Sequence, residues 1–155
     1  MSKSLKRVIR ALVEAGVNST PLEVGPATTA QMAADLVGCE LDQIAKSIIF
    51  QGQSSGNAVL FITAGGQQVD TAKASALVGE ALGKADAALI RAQTGFAIGG
   101  VSPIGHLSAP RAFFDPRLLD FDQIWAAAGT PRHVFASDPK TIMQLSGAQL
   151  ANFTS

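Results

Sequence analysis

An α+β fold is predicted: a compact single domain over residues 1–155, with a mixed, mainly antiparallel central sheet flanked by helices. Three observations predict it. The first is size and content. The chain has 155 residues, 47% of them hydrophobic, and a domain near this length withdraws roughly 68–70% of its unfolded surface from water. One core is therefore sufficient. The second is a pair of β-branched and aromatic runs, residues 46–50 and 58–63, joined by a polar Gly/Ser-rich stretch over 51–57. Such a pair reads as an antiparallel hairpin. The third is that the strands come as hairpins and do not alternate regularly with helices, which argues against a doubly wound parallel sheet.

The elements follow in order. Residues 3–15 are predicted helical, with Leu5, Val8, Ile9, Leu12 and Val13 at helical spacing and Gly16 as the stop. Lys3, Lys6, Arg7 and Arg10 fill much of the other side, read as a solvated face in preference to an RNA contact. Residues 20–24 form a short extended piece, punctuated by Pro21, Gly25 and Pro26. Thr28 or Thr29 caps a helix running to about Val37, ended by Gly38. The hairpin comes next, broken at Gly65 and Gly66, and Asp70 then caps a helix through Val78 that carries Lys73. Residues 84–93 are predicted helical and lead into a glycine cluster over 95–106. Residues 112–115 are strand-like. A helix is expected from Asp120 or Asp122, holding Ile124 and Trp125 and stopped by Gly129. Residues 133–136 form the last strand, and Asp138-Pro139 opens a final helix to Leu145.

Composition excludes several functions. Twelve basic and twelve acidic residues cancel, and charged residues are only 15% of the chain, so there is no broad basic face of the kind DNA binding requires. A local contact with phosphate remains allowed. One cysteine, Cys39, rules out an internal disulfide framework and a multi-cysteine metal site, and is read as a packing residue. His106 and His133 stand apart from each other and from any ligand spacing, so no metal and no cofactor are expected. No apolar run reaches ~18 residues, and the basic N-terminus lacks a continuous apolar stretch behind it. No membrane contact is expected, and the default setting is cytoplasmic.

Two places carry the residue types of a site. The glycine cluster is neither a Walker loop nor a dinucleotide fingerprint. Gly99, Gly100 and Gly105 around Pro103 would let backbone amides turn inward on a phosphate or a developing oxyanion; a turn that simply requires positive φ explains them as well. Lys46 shares a strand face with Ile48 and Phe50, while Ser47 and Ile49 share the other. A lysine in such company either binds an anion or guards a sheet edge. No G-x-S-x-G elbow is present, though a Ser/His/Asp triad assembled in space is not excluded by sequence order.

Residues 43–50, Gln-Ile-Ala-Lys-Ser-Ile-Ile-Phe, resemble the lysine strand of the YbaK/ProX aminoacyl-tRNA deacylases, a family that includes the editing insertion domain of bacterial prolyl-tRNA synthetase. Residues 94–106 resemble its glycine signature, with Gly99 and Pro103 in the G-x-x-x-P motif, and residues 69–73 resemble the segment between them. The likeness runs over nearly the whole chain. It implies a free-standing trans-editing hydrolase acting on the acceptor end of a mischarged tRNA, one for proline carrying a small noncognate amino acid, with a synthetase as a further partner. It implies no metal and no protein nucleophile. Lys46, Gly99, Gly100 and His106 would form the catalytic set. Thr94, Ser102, Pro103 and His133 would join Lys46 in binding substrate, with His133 the looser match. The alternative is a non-catalytic module that binds a nucleotide or an aminoacyl-adenylate mimic in the same cleft; a small-ester esterase is a third class.

Overall fold

Residues 1–155 are all described by the computed structural model. The chain runs α1 (Lys3–Glu14), β1 (Leu22–Glu23), α2 (Ala30–Val37), β2 (Ile44–Gly52), β3 (Ala58–Ala64), α3 (Thr71–Val78), β4 (Leu82–Lys84) and α4 (Ala87–Thr94). It continues with β5 (Arg111–Phe114), β6 (Ile124–Ala127), β7 (His133–Ser137), α5 (Pro139–Ser146) and β8 (Gln149–Leu150). Each helix begins where a short polar side chain satisfies its free amides. Ser2, Thr29, Asp70, Asp86 and Asp138 accept from backbone N–H groups of the first turn.

The hairpin forms as expected, antiparallel from Ala45↔Ala64 to Gln51↔Ala58. The sheet order is β1-β7-β6-β2-β3-β5-β8, with β4 also on β2. The expected mainly antiparallel character does not hold. β2–β6, β3–β5 and β5–β8 are parallel, so the sheet is mixed. Parallel neighbours need a crossover, and the segment from α3 through α4 supplies the one between β3 and β5.

A second correction concerns residues 124–127, which form strand β6 and not a helix. Ile124 and Ala126 are buried while Trp125 and Ala127 are half-buried, the two-residue period of a strand. Four residues, two of them alanine, were too short a run to display it. Asp120 instead ends a 3₁₀ turn, Pro116–Asp120, capped by Asp115. The helix expected from residue 84 starts at Ala87, because Asp86 caps it and residues up to Lys84 are claimed by β4.

One sheet face packs on α1, α4 and α5 through Leu5, Val8, Leu12, Ile90 and Ile142. The other carries a cluster of rings, with Phe61 stacked on Phe113 at 5.4 Å between centres and meeting Phe153 edge-on at 5.0 Å, packed with Ala74 of α3. α2 covers Ile44 and Trp125. One local feature positions the site. β2 pairs with β6 only at Ile44 and Ala45, and on the same edge with β4 only from Phe50 to Gly52. Between them, residues 46–49 have no partner strand on that edge.

Candidate active site

A cavity of about 320 Å³ opens where β2 parts from β6. Its walls come from the start of α2 (Thr28, Thr29, Ala33), from β2 (Lys46, Ser47, Ile48), from the β6–β7 connection (Thr130, Pro131) and from the glycine loop (Gly99, Val101). His133 closes one side. No carboxylate lines it; Lys46 and His133 are its ionisable groups.

Lys46 Nζ donates to Gly65 O at 3.1 Å. Burial lowers its pKa, while the charges of Asp42 and Asp115 oppose that shift. Both carboxylates are fixed. Asp115, 2% exposed, accepts from Ala64 N–H and Arg117 N–H at 3.0 Å each. Asp42 accepts from Gly66 N–H at 2.8 Å and Arg117 Nε at 2.9 Å. The ammonium has one protein acceptor and three protons, so it retains donors for an anion.

In the glycine loop, Gly99 has φ +91° and ordinary space around it, whereas Gly100 does not need positive φ. Gly100 needs absence of a side chain: a Cβ would lie 2.7 Å from Thr130 Cα and 2.8 Å from Thr130 C. The loop and the β6–β7 connection thus touch backbone to backbone. Gly100 N–H is used by Ala97 O at 3.1 Å, while the N–H groups of Gly99 and Val101 donate to no protein acceptor. Both residues line the cavity, and an amide without a protein acceptor is the kind of donor an oxyanion uses.

The remaining predicted residues are supports. Thr94 is fully buried; its hydroxyl donates to Ile90 O at 2.6 Å and accepts from Phe96 N–H at 3.1 Å. Ser102 is fully buried and its Oγ accepts from Ile104 N–H. Pro103 is buried beside it. His106 does not line the cavity. Its Nε2 bonds Ser102 O at 2.6 Å and its ring meets Phe96 edge-on at 5.1 Å. Desolvation lowers its pKa to about 4, with the Ser102 bond opposing and Arg7 adding to the drop, so the ring is neutral near pH 7. His133 does line the cavity, but both ring nitrogens are engaged: Nδ1 with Thr130 Oγ1 at 2.7 Å, Nε2 with Glu23 Oε2 at 3.4 Å. Lys46, Gly99 and His133 are therefore brought together, Gly100 sets the wall behind them, and Thr94, Ser102, Pro103 and His106 hold the loop.

Sequence reasoning missed Arg7. Its Nη2 donates to Gly95 O at 2.8 Å and its Nε to Gly105 O at 3.1 Å, with the guanidinium 4.9 Å from the Phe96 ring centre. One side chain of α1 ties both ends of the glycine loop. No local pattern separates Arg7 from Lys3, Lys6 and Arg10.

Fold and cavity together define the class: an α+β domain whose parted sheet offers an alanine-rich hollow, one cation and free amides. The chain matches the family described as "Aminoacyl-tRNA editing domain" over residues 24–145, and it belongs to that family. It is similar to a crystal structure of a candidate trans-editing enzyme for prolyl-tRNA synthetase, with TM-score 0.91 and 42% identity over 100% of this chain and 99% of that one. An uncharacterized protein of Bacillus subtilis (strain 168), YwhH, is 31% identical over 127 residues, 82% of this chain and 80% of its own. A hypothetical protein, APE2540, shares the fold, with TM-score 0.87 and 21% identity over 96% of this chain and 99% of that one.

Proposed function

We propose that this protein hydrolyses the ester of a mischarged tRNA as a free-standing deacylase, its substrate a proline tRNA carrying a small noncognate amino acid. The observation that carries this is the convergence of Lys46, the free amides of Gly99 and Val101, and His133 on one cavity. The 42% identical relative supports it.

Lys46 binds a phosphate of the 3′-terminal nucleotide. The amides of Gly99 and Val101 meet the ester carbonyl oxygen and stabilise its negative charge as water adds to the carbon. The carbon–oxygen ester bond then breaks and the ribose oxygen takes a proton, releasing free amino acid and intact tRNA. The neighbouring ribose hydroxyl orients the water. No protein nucleophile and no metal are required, because an aminoacyl ester is already activated and positioning with electrostatics suffices. Ala27, Ala30, Ala33, Ala126 and Ala127 around the hollow fit a small side chain. A second sieve of this kind has a purpose, since one methylene gives a synthetase only about 10–200-fold discrimination. With few phosphates met, a synthetase holding the tRNA body is the natural partner.

The test is a deacylation panel of several tRNAs charged with alanine, serine, cysteine and threonine. Release of one small amino acid from proline tRNA is expected. Binding of an aminoacyl-adenylate analogue with no hydrolysis of any tRNA would replace the enzyme with a binding module.

A further inference from the structure

Two buried side-chain polar atoms of the protein lack a hydrogen-bond partner, Ser47 Oγ and His106 Nδ1. Only Ser47 lines the cavity. Its neighbours on the same strand face, Ala45 and Ile49, belong to the apolar core or pack against it, and a buried hydroxyl left unpaired there is unfavourable. An alanine would fill the place without that cost.

The backbone adds to the same point. Gly52 N–H reaches Asn57 O and Gln53 N–H reaches Ala81 O. Even-numbered residues of β2 therefore turn their backbone toward β3, and odd-numbered ones toward β4 and β6, through a ladder with β3 unbroken from Ala45 to Gln51. Ser47 and Ile49 are the odd-numbered residues inside the unpaired stretch that lies beyond the end of the β6 pairing and short of β4, and of the two only Ser47 lines the cavity. Its carbonyl and amide therefore face the gap, and its unpartnered hydroxyl belongs to a residue of the cavity lining there. No carboxylate lines the cavity, so a cationic group entering it must be met by neutral oxygens.

We propose that Ser47 binds the α-ammonium of the aminoacyl group, through its hydroxyl and its carbonyl in the gap of the sheet. This rests on the deacylase reading above. Every aminoacyl ester carries that ammonium, so Ser47 distinguishes aminoacyl esters from other acyl esters of the same tRNA. Lys46 and Ser47, adjacent on one strand and projecting to opposite faces, then hold the substrate at two points: phosphate on one, amine on the other.

The experiment pairs Ser47→Ala with removal of the substrate amine. Proline tRNA mischarged with alanine and its deaminated counterpart, the 2-hydroxypropionyl ester of the same tRNA, are offered to wild type, Ser47→Ala and Ser47→Thr, with melts to confirm folding. On the alanyl ester, kcat/KM of Ser47→Ala should fall about 10–100-fold, as for one hydrogen bond to a charged group. On the hydroxy ester it should fall less than about 3-fold, because the charge is gone. Ser47→Thr, which keeps the hydroxyl, should recover most of the alanyl rate. Equal losses on both esters, or none on either, with active wild type, overturn the role of Ser47 and leave the deacylase standing. Failure of wild type on these esters and on every other member of the deacylation panel overturns the deacylase reading, and this assignment with it.

Discussion

Gly100→Ala tests whether the wall between the glycine loop and the β6–β7 connection sets the catalytic geometry. The backbone at Gly100 accepts an alanine without strain, since its φ is not positive; the effect is purely steric. The new Cβ would stand 2.7 Å from Thr130 Cα, where ordinary contact begins at 3.4 Å, so the two backbones must part by about 0.7 Å unless something else yields. Thr130 cannot retreat freely. It holds His133, and the adjoining Gly129 lies so close to Ser4 that a Cβ there would be 2.8 Å from Ser4 O. Overpacking of this kind costs about 1–3 kcal/mol, a few degrees in Tm for a chain this size. Displacement approaching 1 Å costs about 100-fold in rate, so single-turnover deacylation should slow about 10–100-fold in a protein that still folds. Gly79→Ala, at the end of α3 and away from the cavity, is the control. Its Cβ meets nothing within 4 Å, but its φ of +87° is strained for alanine, so it should lose about 1–2 kcal/mol of stability with a much smaller loss of rate. A folded Gly100→Ala enzyme deacylating at the wild-type rate would refute the steric reasoning.

Lys46→Ala should stay folded and lose at least about 10–150-fold in deacylation, the range for a hydrogen bond to a charged group; Lys46→Arg should recover part. Lys73→Ala, which removes an exposed bond to Thr154 O, should change little, and similar losses in both would defeat the assignment. Stability should fall as pH drops from about 6.5 to about 4. The unfolded chain takes up a proton on His106 near 6.5 whereas the folded protein takes it up only near 4, which is worth up to about 3 kcal/mol. Melts across that window should be flatter for His106→Gln; parallel profiles would count against it. Binding of the acceptor end should weaken gently with salt, at a slope near −0.7 for each single-strand phosphate met, and a measured slope near −5 would show a far larger footprint.

The hairpin was legible because its two runs are rich in β-branched and aromatic residues with a polar turn between. Three helix starts were legible because Thr29, Asp70 and Asp138 at an N-cap act within four residues of themselves, whereas the Asp86 cap went unread and the helix expected from Asp120 or Asp122 does not form. Lys46 stood out for the same local reason: a charge inside an apolar strand. What stayed hidden depends on contacts between distant segments. Trp125 pairs with Ile44, and nothing in residues 124–127 announces that partner, so a strand was read as a helix. The parallel pairings depend on where the crossovers return the chain. Gly100 was singled out for the right residue type, but its reason, the approach of Thr130, lies thirty positions away. Arg7 looked like one more solvated cation until folding placed it against Gly95 and Gly105.

That last contact bears on what can be cut away. The family likeness spans residues 24–145, and α1 lies wholly before it, so by likeness alone the first helix looks like a dispensable extension. Arg7 grips the glycine loop at both ends, Ser4 O backs Gly129, and Leu5, Val8 and Leu12 fill the core beneath. A protein trimmed to the matched region would keep Lys46, Gly99 and His133 yet lose the brace that presses the two cavity walls together. The boundary of recognisable ancestry and the boundary of the working unit fall in different places here, and the second encloses the first.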